Sequence, residues 1–567
     1  MDSLRSPFQT LPMIIVQKVV EYLEGRRRNT LHLDIAEHNK KKEVLAPLLL
    51  VSERWRTAAL ESICDNCTVS FDYARRAVVV NTPAWPADFS YPGFRKARLV
   101  KRVVVTAGLW RNMCDGTFCN TMSEMQYEGV VFPAARNLVV MLNQARDATY
   151  GYNYQTPTSQ EQVVNLARSL LRLVPAATDV VVKFESTNRS EPGYMQLYST
   201  LVSELYQGRV DTICVNSELT NAPLVLNLTS TPGLTSIAHG SNINCAPFTS
   251  LAYLNANTLK TTRISIATEA DWDGFIYGGT TTPAVYTNLA ELHMVITDVT
   301  YQTTWEAIKD VAPFPALSVL SVDGGYPFDD DLLFRGNGAT LQYLHLPFSA
   351  IARNGLGRFN VLKRSGVTEM SRISTGAVSD LDKTYLTDHP DVPIAQQVHC
   401  MLAVSIKLKF ATDTPGALIF LAICAAPSTA IVQHLEFGQL WCAADHVIKL
   451  LVTLPSLVSL SCGIKDIEAD IKAIPTGERP NRLYAKYYPL SKNFRTLRVA
   501  CPNHSVTTEE VAYAAMLIAV VCPNFGQVDL PSEKRRDFGR EIAWAMVNST
   551  FKPYADSIGR LIYPEQS

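Results

Sequence analysis

The residues able to do chemistry are few, and their spacing is poor for it. Cys64 and Cys67 form a C-x-x-C, half of a structural zinc site. Such a site needs a second ligand pair, usually ~12–20 residues on. Cys114 and Cys119 lie too far along and are wrongly spaced, so the first pair reads as packing at the end of a helix. Asp329, Asp330 and Asp331 are consecutive. Their carboxylates point in different directions on a helix or a strand and do not converge on one ion. They suit the start of a helix, where the dipole favours acids. The ten histidines are dispersed and none forms H-E-x-x-H. There is no phosphate-cradling G-x-x-x-x-G-K-[ST], no G-x-S-x-G elbow and no dinucleotide G-x-G-x-x-G after a strand. The reading is therefore not an enzyme, with no catalytic residue, no metal site and no cofactor.

What the chain does contain is a recurring unit. Phe314 to Val322 reads as a turn at Pro315 followed by Leu317, Leu320 and Val322. The last part alternates, as a short strand with one buried face does. An amphipathic stretch, Thr304 to Val311, precedes it as a helix. Leu457, Leu460 and Cys462 follow Pro455 at the same offsets; Phe525, Val528 and Leu530 follow Pro523, and Ala135, Leu138 and Val140 follow Pro133. Without the proline, the apolar-x-x-apolar-x-apolar pattern starts clearly at Val100, Val210, Leu289, Leu317, Leu341, Val432, Leu457, Phe494 and Phe525. Weaker copies start at Ala135, Ala177, Leu234, Leu259, Val367 and Ala403. Between them, Val163–Leu173, Met195–Leu205, His446–Leu454 and Glu509–Val521 carry apolar stripes at helical spacing. Strand and helix alternate, which predicts an α/β repeat array. Polar insertions at 143–162, 186–192, 376–393 and 464–493 would project from one of its faces.

Bulk properties agree with such an array. At 567 residues the chain is too long for one core, but a solenoid buries each repeat against its neighbours and has no such limit. Apolar residues make up 47% and charged residues 19%, a folded rather than disordered composition. A net charge of −1 argues against general nucleic-acid binding, which needs a basic surface. The longest apolar runs, 417–426 and 512–522, are shorter than the ~20 residues of a membrane span and read as buried helices. No membrane association is expected. The cysteines are scattered singly among apolar neighbours, as reduced thiols are, which places the protein in the cytoplasm or nucleus.

The first sixty residues differ from the rest. Leu11 to Leu23 predicts a helix with Pro12 in its first turn and with Ile15, Val19, Tyr22 and Leu23 on one face. After a polar stretch holding Arg26–Arg28 and Lys40–Lys42, a second helical region runs from Val44 to Leu60. Leu11-Pro12, Ile15, Val19, Tyr22, Leu23 and then Leu48-x-x-Val51-Ser52-x-x-Trp55-Arg56 together resemble an F-box. The repeats that follow resemble the L-x-x-L-x-L heart of leucine-rich repeats, whose usual period is ~20–29 residues. Here the period is irregular and often longer, and the Asn that normally follows is mostly missing. The whole is similar to F-box/leucine-rich-repeat proteins of fungi. One departure is the stretch 25–43, longer than the family's usual connection.

The resemblance implies an α/β protein with an N-terminal three-helix F-box-like module, followed by an irregular leucine-rich-repeat-like α/β solenoid. The module would occupy residues 1–68 with its long loop at 25–43, a connector 69–99, and the solenoid 100–567. Leu11, Pro12, Ile15, Val19, Leu23, Leu48, Val51 and Trp55 would form the module's core and its docking face for the adaptor subunit of an SCF-type ubiquitin ligase. The concave strands and inserted loops would hold a protein substrate of unknown identity, a task suited to an extended repeat surface. The alternative is a repeat scaffold unconnected to ubiquitin, with the first sixty residues serving as a terminal cap.

Overall fold

A computed structural model of the protein describes residues 12–23, 66–72, 77–81, 100–107, 131–143, 160–185, 192–206, 210–217, 233–239, 246–297, 311–324, 339–347, 370–376, 394–411, 416–426, 430–442, 444–464, 490–499 and 527–529. Short pieces within 54–59, 332–337 and 517–525 are described as well. The chain divides into two compact units, Met1–Ser265 and Ile266–Ser567.

Unit 1 opens with α1 (Met13–Leu23). The hairpin β1 (Asn66–Asp72) and β2 (Ala77–Asn81) follows. Then come β3 (Arg102–Ala107), β4 (Asn137–Asn143), α2 (Gln160–Leu173), β5 (Asp179–Glu185), α3 (Pro192–Leu205), β6 (Thr212–Ser217), β7 (Ser236–His239), α4 (Ala246–Leu254) and β8 (Thr261–Ile266). β2 pairs antiparallel with β1. Every other pairing is parallel and sequential, from β1 to β3 and onward to β8.

Unit 2 repeats the plan. It contains α5 (Glu269–Tyr277), β9 (Glu291–Ile296), β10 (Val319–Gly324), β11 (Tyr343–Leu346), β12 (Met370–Thr375), α6 (Ile394–Val404), β13 (Ser405–Phe410), α7 (Gly416–Cys424), β14 (His434–Cys442), α8 (Ala444–Thr453), β15 (Ser459–Ile464), β16 (Thr496–Val499) and β17 (Gln527–Asp529). β9 to β17 pair in chain order, all parallel. α6, α7 and α8 pack side by side and against β13 and β14. Parallel neighbours require a crossover connection, and these helices supply it.

The expected repeat starts coincide with a recurring backbone geometry. One and two residues after a start, two amides bond the same carbonyl of the preceding strand unit. Ser318 and Val319 both donate to Ala290 O, and Gln342 and Tyr343 to Ser318 O. In unit 1, Asp211 and Thr212 donate to Thr178 O, and Thr235 and Ser236 to Asp211 O. Ahead of four starts comes a turn closed on the residue three back: Ala135 on Phe132, Leu317 on Phe314, Leu457 on Leu454 and Phe525 on Cys522. Proline sits in each of these turns because the second position needs no amide donor. The apolar residues at the pattern positions form continuous columns. Leu292, Leu320, Leu344, Ile373, Leu408, Leu435, Leu460 and Leu497 are in register and at most 1% exposed.

Two starts shift. The copies read at Val367 and Ala403 begin instead at Met370 and Ser405, because Ile373 pairs with Leu408 and Leu408 with Leu435. Ser405 fills an apolar slot unnoticed because its hydroxyl is satisfied by Lys407 O at 2.6 Å. The sheet also starts earlier than residue 100. The segment read as a 69–99 connector contributes most of β1 and all of β2, and the alternating burial of Cys67 and Val69 is that of a strand. Cys67 therefore lies in a strand rather than at a helix end.

The two units differ in what lies between the core positions. In β3 to β6 of unit 1 three successive residues are apolar: Val103-Val104-Val105, Leu138-Val139-Val140, Val180-Val181-Val182 and Ile213-Cys214-Val215 are all at most 8% exposed. Val104, Val139, Val181 and Cys214 form their own cluster on the second face, with Met141 and Ala238 against it. Continuous apolar runs are what parallel strands buried on both faces require. In unit 2 the middle residue is polar: Leu320-Ser321-Val322, Leu344-His345-Leu346, Leu408-Lys409-Phe410, Leu435-Glu436-Phe437 and Leu497-Arg498-Val499.

The helix read as buried at 417–426 is apolar all round but buries only one face. α7 buries Ile419, Ala422 and Ile423 but leaves Leu421 62% exposed. Among the described residues, no helix is long and apolar enough to cross a membrane.

Candidate functional site

The polar face of unit 2 gathers the described residues best equipped to recognise something. It follows directly from register. Alternate residues of a strand point to opposite faces, so the residues beside each core leucine line the other side. The first row runs Glu291, Val319, Tyr343, Arg372, Lys407, His434, Ser459, Thr496 and Gln527. The second runs His293, Ser321, His345, Ser374, Lys409, Glu436, Ser461, Arg498 and Asp529. Adjacent strands place neighbours in a row about 4.8 Å apart, close enough for one side chain to bond the next.

Several do. His345 Nδ1 lies 2.8 Å from Ser374 Oγ, and His345 Nε2 lies 3.0 Å from Asp323 Oδ1. His434 Nδ1 lies 2.7 Å from Ser459 Oγ. Lys409 donates to Glu436 in a close ion pair. The Arg372 guanidinium stands 5.4 Å from the centre of the Tyr343 ring, a cation–π contact worth about 0.5–1 kcal/mol at an exposed site. Burial lowers the His434 pKa below its ordinary 6.5, and the nearby charge of Lys407 lowers it further. His434 is therefore neutral at pH 7. Among the described residues, no carboxylate pairs with Arg372 or Lys407.

Asp323, His345 and Ser374 stand in the acid, base and nucleophile order of a hydrolytic triad. Their surroundings argue for a structural clasp instead. Ser374 is only 4% exposed, so a carbonyl carbon has no approach to its hydroxyl. The Asp323 side chain is 57% exposed, so its charge is solvated rather than held in the dry setting that gives electrostatic catalysis its strength. The clasp ties three successive strands together and fixes the His345 ring.

The N-terminal residues are only partly in view. Leu11, Leu48 and Val51 lie outside the described residues, as do the loop 25–43, Cys64 and Asp329–Asp331. Pro12 is exposed and precedes α1 rather than lying within it. Its carbonyl accepts from Ile15 N at 2.9 Å and Val16 N at 3.2 Å, starting the helix. Val16, absent from the sequence reading, is fully buried. Ile15 is 42% and Ile14 63% exposed, while Val19 is half-buried. Leu23 closes α1. Trp55 is buried at 5%. Among the described residues, no group of three or more His, Cys, Asp or Glu could hold a metal ion.

Sequence reasoning did not single out the polar face. The usable signal was the fifth position of each repeat, apolar from β3 to β7 in unit 1 and polar in unit 2, which becomes visible once the register is known. No known family model matches the chain, and no curated protein matches its sequence.

Proposed function

We propose that this protein is the substrate-recognition subunit of an SCF-type ubiquitin ligase, with the N-terminal helix docking on the ligase adaptor and the repeat strands holding a protein substrate. It performs no chemistry itself and works in the cytoplasm or nucleus. What carries the reading is the order of parts. A helix led by Leu11-Pro12 presents Ile14 and Ile15 to solvent, and an α/β array of sequentially paired parallel strands follows it. Large exposed aliphatic side chains on a short helix serve better as a contact than as a fold element. The resemblance of 11–56 to an F-box and of the repeats to leucine-rich repeats supports the same reading.

The test is capture of the full chain by purified SCF adaptor, with the Ile14→Glu/Ile15→Glu variant in parallel. Both positions are exposed, so the substitutions leave the fold intact. Capture by the native chain that falls at least about tenfold in the variant supports the proposal. Failure of the native chain to bind sinks it. The second reading, a repeat scaffold without a ligase, is favoured by one observation: among the described residues, the rows of the polar face are built from β9 to β17.

A further inference from the structure

We propose that the polar face of unit 2 binds a short, extended acidic segment of its protein partner, with Arg372 and Lys407 as the anchoring cations. This rests on the reading that the repeat strands hold a protein substrate.

Charge placement carries the inference. Arg372 on β12 and Lys407 on β13 are directly in register, about one strand spacing of 4.8 Å apart. A single carboxylate fits between the two and receives donors from both. Among the described residues, neither cation has a carboxylate partner. The next cation in reach is already occupied, since Lys409 is paired with Glu436. Arg372 is also held in place by the Tyr343 ring, so part of the side-chain entropy that binding would cost is already lost. A guanidinium fixed in this way presents its planar fork to a carboxylate. Beyond the two cations the row continues with His434 and Ser459, which bond each other, and then with the hydroxyl of Thr496. These neutral polar groups suit a peptide backbone.

The same map rules against a polyanion. Glu291 occupies one end of the first row. Glu436 and Asp529 stand in the second, and Asp323 lies beside His345. A nucleic acid needs a continuous basic track, whereas among the described residues of this face carboxylates interrupt the cations on both sides of Arg372 and Lys407. A segment with one or a few Asp or Glu residues meets that charge without meeting the flanking carboxylates.

The experiment is fluorescence anisotropy of the full chain with a fluorescein-labelled octapeptide of alternating Glu and Ser. The same peptide with Gln for Glu, and a single-stranded oligouridylate, serve as comparison probes. The Glu peptide is expected to bind best and to weaken as salt rises. Arg372→Glu/Lys407→Glu should weaken it at least about tenfold. Glu436→Gln, which frees Lys409, should strengthen it. Circular dichroism of each variant shows that the fold is retained, and Arg372→Gln/Lys407→Gln provides a milder pair. Equal binding of the Glu and Gln peptides, a double reversal without effect, or preference for the oligouridylate overturns the proposal. Adaptor capture on the same preparations separates the two claims. Capture without selective peptide binding defeats this inference alone, and selective peptide binding without capture defeats only the ligase reading.

Discussion

Asn255 shows how much one side chain can carry between repeats. It is 3% exposed. Its Oδ1 accepts from Gly233 N at 3.0 Å and Leu234 N at 3.1 Å, and its Nδ2 donates to Leu251 O at 2.9 Å. Thr258 follows, with its hydroxyl on Leu234 O at 2.8 Å. The same Asn-x-x-Thr-Leu arrangement returns at Asn337, Thr340 and Leu341, where Thr340 bonds Leu317 O and Asn337 bonds Leu333 O, both at 2.8 Å. Asn255→Ala leaves the amides of Gly233 and buried Leu234 without this acceptor, while Leu251 O keeps the Asn255 backbone amide. The expected loss is about 3 kcal/mol, read from the chemical-denaturation midpoint. Asn524, whose bond to Lys492 O is exposed, should lose under about 1 kcal/mol when changed to Ala. A sequence scan for Asn after the apolar pattern misses this device, since here the Asn precedes the pattern.

Cys214 makes a second residue-scale prediction. Burial pushes its thiol up to about 11 from 9.0, against the pull of Lys183 and Arg263. A thiol whose folded pKa is raised holds its proton more tightly in the folded state. The stability it contributes is whole below pH 9 and is lost as pH rises through about 11. Stability of the native chain should fall over that window, and Cys214→Ala should remove part of the slope. Cys522, raised by burial to about 12, continues the decline above it. At pH 8 the native Cys214 should resist iodoacetamide and the unfolded chain should react.

At the scale of the element, strand ends decide how firmly neighbours lock. Gly324 closes β10 at φ +81°, and a Cβ there would collide with the backbone carbonyl of Ile296 at the paired end of β9. Gly279 has nearly the same φ, +79°, with open space around it. Alanine at 279 meets only the backbone strain, about 1 kcal/mol. Alanine at 324 adds a clash that forces the two strands apart, so its denaturation midpoint should drop about twofold further or more. Equal effects at the two glycines would contradict this account. The repeat pattern marked most strands correctly because a leucine column has a strict spacing that the sequence preserves. It slipped at β12 and β13, where Thr375 and Ser405 occupy core slots. The Lys407 carbonyl satisfies Ser405 in its slot, whereas the buried Thr375 hydroxyl has no hydrogen-bond partner among the described residues.

At the scale of the whole chain, one strand plan serves two environments. Unit 1 hides Val104, Val139, Val181 and Cys214 on the second face of its sheet, whereas unit 2 turns Arg372, Lys407, His434 and Lys409 toward that side. Apolar rows contribute to folding, since each buried valine stabilises by about 1.5–3 kcal/mol. Polar rows contribute little to stability and leave donors and charges for recognition. Charge reversal at Arg372 and Lys407 should therefore weaken acidic-peptide binding at least about tenfold while lowering the unfolding free energy by no more than about 1 kcal/mol, the size of the lost Tyr343 contact. A large loss of stability in that variant would mean the row is structural.

The sequence by itself determined the repeating α/β character, the position of most strands and the lack of known catalytic motifs, because apolar spacing and turn prolines are local properties of the chain. It could not determine which residues of different repeats stand side by side. Arg372 and Lys407 are 35 positions apart, and Asp323, His345 and Ser374 come from three separate repeats. Only the folded sheet brings these residues side by side, since the apolar columns fix the register of each strand but strand-to-strand hydrogen bonding decides which strands become neighbours.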